Sequence, residues 1–241
     1  MKLHSLGMAM IVLGLSLLPA VAVAATPSIG QVSRITGSQL GNAEAPGGAA
    51  RKLTAGDPIF AGERIRTGAG TVLQIEFTDK SRFVLGPNAE FEVGRYSYAS
   101  GGAGEDAFHS KLIKGAFRFV TGLIARSQKR SMTVSVAVAT IGIRGTNVEG
   151  EVTARQEKDG RTVDASAKVA LLEPEGSDAG SAIIVENQFG SVVVDKPGYG
   201  TEIPDEKSPP SPVQRMQLRT IDNLLRVLRT PGQTGGPARR P

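Results

Sequence analysis

Of the side chains that most often carry nucleophilic or metal chemistry, this 241-residue sequence holds two histidines, His4 and His109, and no cysteine. Disulfides, cysteine nucleophiles and thiolate metal sites are thereby excluded, and any imidazole chemistry in the body would rest on His109 alone. Asp57, Glu63 and Asp79 are carboxylates that could pair as acid and base or hold calcium, but their spacing fits neither an EF-hand loop nor a repeat calcium motif. A Gly-x-Ser-x-Gly elbow, a Walker loop and a His-Glu-x-x-His pair are all absent from the sequence. Turn and surface roles are therefore expected for the three carboxylates, and a solvent-edge strand position for His109. No cofactor and no enzymatic activity are expected.

Binding chemistry is better represented. Between Ala107 and Val148 stand seven cations, Lys111, Lys114, Arg118, Arg126, Lys129, Arg130 and Arg144, without one acid among them. Such a strip is either a solvated strand edge, where lysine discourages pairing, or a patch facing a partner or an anion: lipid head groups, lipopolysaccharide or another acidic envelope polymer. Tyr96 and Tyr98, with Arg95 beside them, can add a small adhesive edge, while tryptophan, a common sugar platform, is missing. The formal charge of +5 and a pI near 9.6 would suit nucleic acid. Position argues otherwise. Lys2 and a net five positive charges from residues 213–241 together exceed the whole-chain charge by one, so residues 3–212 stand at about −1.

The elements that must carry these residues read as short strands. Leu73, Ile75 and Phe77 alternate with polar residues, Asp79-Lys80-Ser81 supplies a turn, and Phe83 and Leu85 resume the period of two, which is a hairpin. Gly86-Pro87-Asn88 punctuates before Phe91 and Val93; Val134, Val136 and Val138 lead into Ile141 and Ile143; and runs at Val163–Leu171, Ile183–Val185 and Val192–Val194 continue the pattern. Regular short strands with almost no helical periodicity make an all-β sandwich, roll or barrel. Its core should take Ile65, Leu73, Ile75, Phe77, Phe83, Leu85, Phe91, Phe117, Phe119, Val136, Val138 and Ile141, at ~1.5 to 3 kcal/mol for each large apolar side chain fully buried. Residues 40–50 and 100–106, rich in Gly and Ala, read as loops.

The ends differ from the body. Residues 1–25 combine Lys2, an apolar run from Leu6 to Leu18, Pro19 and an Ala-x-Ala site at Ala22–Ala24, the pattern of a bacterial secretory signal cleaved after Ala24 or Ala25. The other reading is an uncleaved membrane anchor, since the run is not far short of the ~20 residues that span a bilayer. Export would place residues 26–241 in the periplasm or outside the cell, and so excludes nucleic acid as an expected partner. Residues 26–203 form the β domain, and Pro204–Pro212 reads as an extended Pro-rich linker. An amphipathic helix is expected over 213–230, N-capped by Ser211 with Pro212 at its first position, and a disordered tail over 231–241. Ile221, Leu224, Leu225 and Leu228 share its apolar face, opposite a row of arginines, and suit docking on protein or an anionic membrane.

Several fragments in order resemble the FecR domain family: Leu53-Thr54-Ala55-Gly56-Asp57-Pro58-Ile59, then Ile65-Arg66-Thr67-Gly68-Ala69-Gly70, Leu73 to Asp79, and Phe83-Val84-Leu85-Gly86-Pro87-Asn88-Ala89. Lys114 to Val120 and Thr140-Ile141-Gly142-Ile143-Arg144-Gly145-Thr146 extend the likeness, which covers roughly Gly30 to Val152. The resemblance implies an all-β jelly-roll or β-roll, non-enzymatic, in the extracytoplasmic part of a bacterial signalling protein. Founding members relay a transporter's state to a cytoplasmic sigma factor. Only five residues precede the hydrophobic stretch here, so the expectation is instead an envelope interaction module that scaffolds or senses through a protein partner, with a membrane-anchored signalling regulator as the alternative.

Overall fold

Apolar alternation with turn residues at short intervals gives a structure of strands. The computed structural model describes residues 26–37, 41–98, 105–126, 130–157, 162–173 and 181–216. In chain order the first strands are β1 (Gly30–Thr36), β2 (Gly41–Glu44), β3 (Ala50–Leu53), β4 (Pro58–Ile59), β5 (Arg64–Arg66), β6 (Val72–Phe77), β7 (Arg82–Leu85) and β8 (Glu90–Ser97). They are followed by β9 (Asp106–Val120), β10 (Arg130–Val136), β11 (Ala139–Arg144), β12 (Asn147–Gln156), β13 (Thr162–Leu172), β14 (Ala182–Asn187), β15 (Gly190–Val194), β16 (Tyr199–Ile203) and β17 (Gln214–Arg215).

The strands form two sheets that share β9. One runs β4-β1-β6-β7-β9-β12-β13-β16-β17, using the second half of β9. The other runs β3-β2-β5-β8-β9-β10-β11-β14-β15, using its first half. Pairing is antiparallel throughout except between β9 and β10. The crossing point is Gly115, whose φ of 108° lies where only glycine is comfortable. There the chain passes close to Ala89: a Cβ on Gly115 would sit 2.5 Å from the Ala89 Cβ and 2.6 Å from its Cα.

The core fills the space between the sheets, and all twelve core side chains expected from the alternation are buried. At its centre six phenylalanines form a connected ladder. Phe83 lies 4.2 Å from Phe91 and 5.6 Å from Phe117, ring centre to ring centre; Phe119 stacks on Phe108 at 5.0 Å, and Phe108 meets Phe77 edge-on at 4.9 Å. Offset and edge-to-face contacts of this kind add ~0.5 to 1.5 kcal/mol per pair beyond area burial.

A buried carboxylate ties this core to the loops. In the β6–β7 turn, Asp79 has no exposed surface. Its carboxylate accepts from the Ser81 amide at 3.1 Å, the Ser81 hydroxyl at 2.6 Å, the Tyr96 hydroxyl at 3.1 Å and the Ile124 amide at 3.3 Å. The hairpin, β8 and the connection after β9 are thus clamped at one point. Burial, with the Asp79 charge adding to it, pushes the Tyr96 phenol above the ordinary tyrosine range. Since the folded state holds that proton more tightly, the associated stability is present below the unfolded tyrosine pKa of about 10 and is lost as pH rises beyond it. Spectrophotometric titration of the chain against Tyr96→Phe should therefore show one phenol ionising later than a free tyrosine, and the variant should lose less stability between pH 10 and 11.

The region after Ile203 departs from expectation. Residues 204–212 are not a free linker but a strap bonded to the domain. Asp205 closes its turn by accepting from the Lys207 amide at 2.7 Å and the Ser208 hydroxyl at 3.0 Å, and these bonds, the backbone one first, hold its carboxyl below the usual carboxylate range. Asn187 donates to the Ser208 carbonyl, Ala165 donates to Glu206, and Pro210 is buried. Ser211 does not cap a helix: its hydroxyl accepts from the Glu202 amide at 3.0 Å and its amide donates to the Glu202 carbonyl at 2.8 Å. Gln214–Arg215 then pairs with β16 as a strand, so residues 213–216 are not the start of a helix. Sheet pairing satisfies the backbone groups that a cap would have served. The rest of the expected helix, including Ile221, Leu224, Leu225 and Leu228, the tail and the N-terminal signal segment lie outside the described residues. Residues 41–53, read in part as a loop, form the β2–β3 hairpin, because Ala43 and Leu53 each give the core one inward side chain.

Candidate interaction face

The outer surface of the sheet that ends in β15 carries two kinds of chemistry side by side. Strand register lines up Glu44, Arg64, Glu92 and Lys111 across four strands, then Ser135, Thr140, Glu186 and Ser191 across four more. The first half alternates in charge and is ion-paired. Arg66 bridges Glu44 at 2.7 Å and Glu90 at 3.1 Å, while Arg64 reaches Glu92 at 3.2 Å. The exposed pairs Arg66–Glu44 and Arg64–Glu92 contribute ~0 to 1 kcal/mol each, whereas the Glu90 carboxylate is buried beneath Arg66.

Next to this charged half the neighbouring row runs His109, Thr133, Gly142, Ile184 and Val193. Gly142 has no side chain, so its backbone becomes the floor of a trough of about 470 Å³, flanked by Ile184 and Val193 and closed at one end by Ala182 and Arg144. Ile184 is 46% and Val193 55% exposed, although both sit in regular strands. Their two apolar side chains project from a rigid sheet into solvent. His109 is at the inner end of this row, half-buried, with its Nδ1 2.7 Å from the Thr133 hydroxyl. It lies on a central strand rather than a solvent edge, because β10 adds in parallel alongside β9.

The four described side chains of the cationic strip are divided between the two sheets. Lys111, exposed, and Lys114, half-buried, lie opposite Glu92 and Glu90 on this face. Arg118 belongs to the other sheet, where it faces Glu149 in register and donates to the Asn147 side chain at 2.8 Å. Arg144 is exposed at the end of the trough. The side chains of Arg126, Lys129 and Arg130 lie outside the described residues. A stretch free of acids in sequence acquires them from adjacent strands. Asp57, Glu63 and Asp79 have separate partners: Asp57 accepts from the Thr54 amide at 2.6 Å, Glu63, buried, is paired with Arg51 at 2.9 Å, and Asp79 is held within the clamp described above. Among the described residues no group of three or more His, Asp and Glu is placed to hold a metal ion, and no helix there is long and apolar enough to cross a membrane.

Sequence reasoning read Ile183–Val185 and Val192–Val194 only as further strands and did not single out the outward pair. The signal was present: three consecutive apolar residues in each strand leave one on the solvent side, where clean alternation would have put a polar residue.

A family model described as FecR protein matches residues 63–173. The crystal structure of a putative anti-sigma factor from Parabacteroides distasonis ATCC 8503 is similar at a TM-score of 0.47 and 13% identity, over 67% of this chain and 64% of that one. No curated protein matches the sequence.

Proposed function

We propose, from the FecR domain at residues 63–173, that this protein is a non-enzymatic module of bacterial envelope signalling that binds a protein partner through the outer face just described. The observation that carries the reading is the trough: an apolar centre with outward Ile184 and Val193, bordered by Arg144 and by the polar row Ser135, Thr140, Glu186 and Ser191. An apolar core within a polar rim is the anatomy of a protein–protein interface. Export through the N-terminal signal places the module in the periplasm or at the cell surface, with cleavage near Ala24 or Ala25.

The test is capture from bacterial envelope fractions with the tagged chain, compared with Ile184→Asp and Val193→Asp. Both side chains are exposed, so the folded domain should tolerate the charge. Loss of a captured protein by at least about tenfold is expected, ~1.4 kcal/mol or more at the interface, and undiminished capture would move the site elsewhere. Mass spectrometry of the recovered chain should give an N terminus at Ala25 or Thr26, and an intact Met1 would favour the anchored form.

A further inference from the structure

Of the strands that end the two sheets, β4, β17, β3 and β15, all but the last are blunted. β4 is two residues long and begins with Pro58, β17 is two residues long and ends with Arg215, and β3 carries Arg51 and Lys52. Proline, shortness and cations are the ordinary devices that keep a sheet edge from pairing with another chain. β15 has none of them: it runs Gly190-Ser191-Val192-Val193-Val194, without charge, proline or register shift. Its ladder with β14 also fixes which backbone groups are open. The turn at Gln188-Phe189 makes Asn187 and Gly190 a hydrogen-bonded pair, and alternation then bonds Val185 to Val192 and Ile183 to Val194. The amides and carbonyls of Ser191 and Val193 therefore point away from β14, and no described group bonds to them. The strap meets this strand at Gly190, where a Cβ would lie 3.2 Å from Pro209, and leaves that open side alone.

We infer that this edge pairs with the same edge of a second copy of the chain, as antiparallel strands about a twofold axis at Val192. Val192 then faces its counterpart, and Ser191 of each copy faces Val193 of the other. Two outward amides from each copy meet two carbonyls of the other, so the junction satisfies every open group on Ser191 and Val193. Charge and symmetry select a second copy as the occupant. The whole overlap is uncharged on both sides, so no like charges meet across it, whereas a β3 edge would bring Arg51 and Lys52 into the junction. A twofold pair also closes on itself and leaves only the guarded β3 at either end of the joined sheet. The axis stands perpendicular to that sheet, so both outer faces lie on the same side. Val193 of each copy, 55% exposed in the single chain, comes within diagonal reach of the other, and the two troughs share one continuous face. The inference concerns the edge and does not rest on the partner reading.

Sedimentation equilibrium of the purified chain at about 100 μM should show a dimer that dissociates on dilution. Ser191→Pro removes one outward amide that the β14 ladder does not use, which an edge strand tolerates, and should raise the dissociation constant at least about tenfold. Val193→Lys, which installs the guard seen on β3, should do the same, and both variants should keep the circular dichroism of the parent. A chain without cysteine allows a second measurement in which the edge stays intact. Val192→Cys should form an interchain disulfide at least about tenfold faster than the more exposed Lys52→Cys, because opposed residues of a non-hydrogen-bonded pair lie about 4.5 Å apart at Cα, within disulfide range. A chain that stays monomeric at that concentration overturns the inference, as do equal disulfide rates or a dimer indifferent to both edge variants. Dimerisation without envelope capture would refute the partner reading and leave this one standing; capture by a strictly monomeric chain would do the reverse.

Discussion

Replacing Asp79 with alanine is expected to destabilise the fold by about 3 to 5 kcal/mol, read as a fall in the urea midpoint at unchanged slope. The carboxylate is fully buried and accepts four hydrogen bonds from three segments. Truncation leaves the Ser81 and Ile124 amides and the Tyr96 hydroxyl without that acceptor, and each unsatisfied buried donor costs ~1 to 3 kcal/mol. Tyr96 keeps its bond with Thr78, at 2.8 Å, which limits the loss there. Asp79→Asn retains one acceptor oxygen and should fall between wild type and alanine. A double-mutant cycle with Tyr96→Phe isolates the part carried by the phenol. A cost for Asp79→Ala below 1 kcal/mol would mean that the clamp is dispensable.

The second large effect is expected at Gly115. Alanine there combines a strained positive φ, ~1 to 3 kcal/mol, with an approach to the Ala89 backbone that no flexible side chain can relieve, so a loss of about 3 kcal/mol or more should result. Ala89→Gly should recover only part of it, since the neighbouring methyl is removed but the dihedral cost stays. Full recovery would assign the whole effect to packing. The comparison is made by denaturant unfolding of the two single variants and the double variant.

Particular residues show what could be read in advance and what could not. Phe77, Phe83 and Ile75 were legible because a strand with one buried face writes its burial into the sequence with period two. Asp79 was legible as a turn residue, but its bonds to Tyr96 and Ile124 join positions 17 and 45 residues away, which no local pattern records. The strap failed for a different reason: four prolines between Pro204 and Pro212 do describe an extended chain, but extension is equally the geometry of a segment laid along a sheet edge. Pro210 and Ser211 decide the matter by burial and by bonding to β16. The cations at Lys111, Lys114 and Arg118 were counted along the chain, whereas charge neighbours in a sheet are cross-strand, and Glu92, Glu90 and Glu149 stand opposite them. Ile184 and Val193, the centre of the proposed face, were read only as parts of strands, because the sequence does not show which side the next layer covers.

The fifteen residues of β9 enter both sheets, and this removes any seam along which the molecule could come apart. A protease cut or a local melting within that strand would strip a neighbour from β8 and β10 on one side and from β7 and β12 on the other. Neither sheet can therefore act as a reservoir of residual structure while the other is lost. The proposed face thus rests on a body that is either whole or absent, and a variant that weakens the crossing at Gly115 should lose both sheets together rather than in turn.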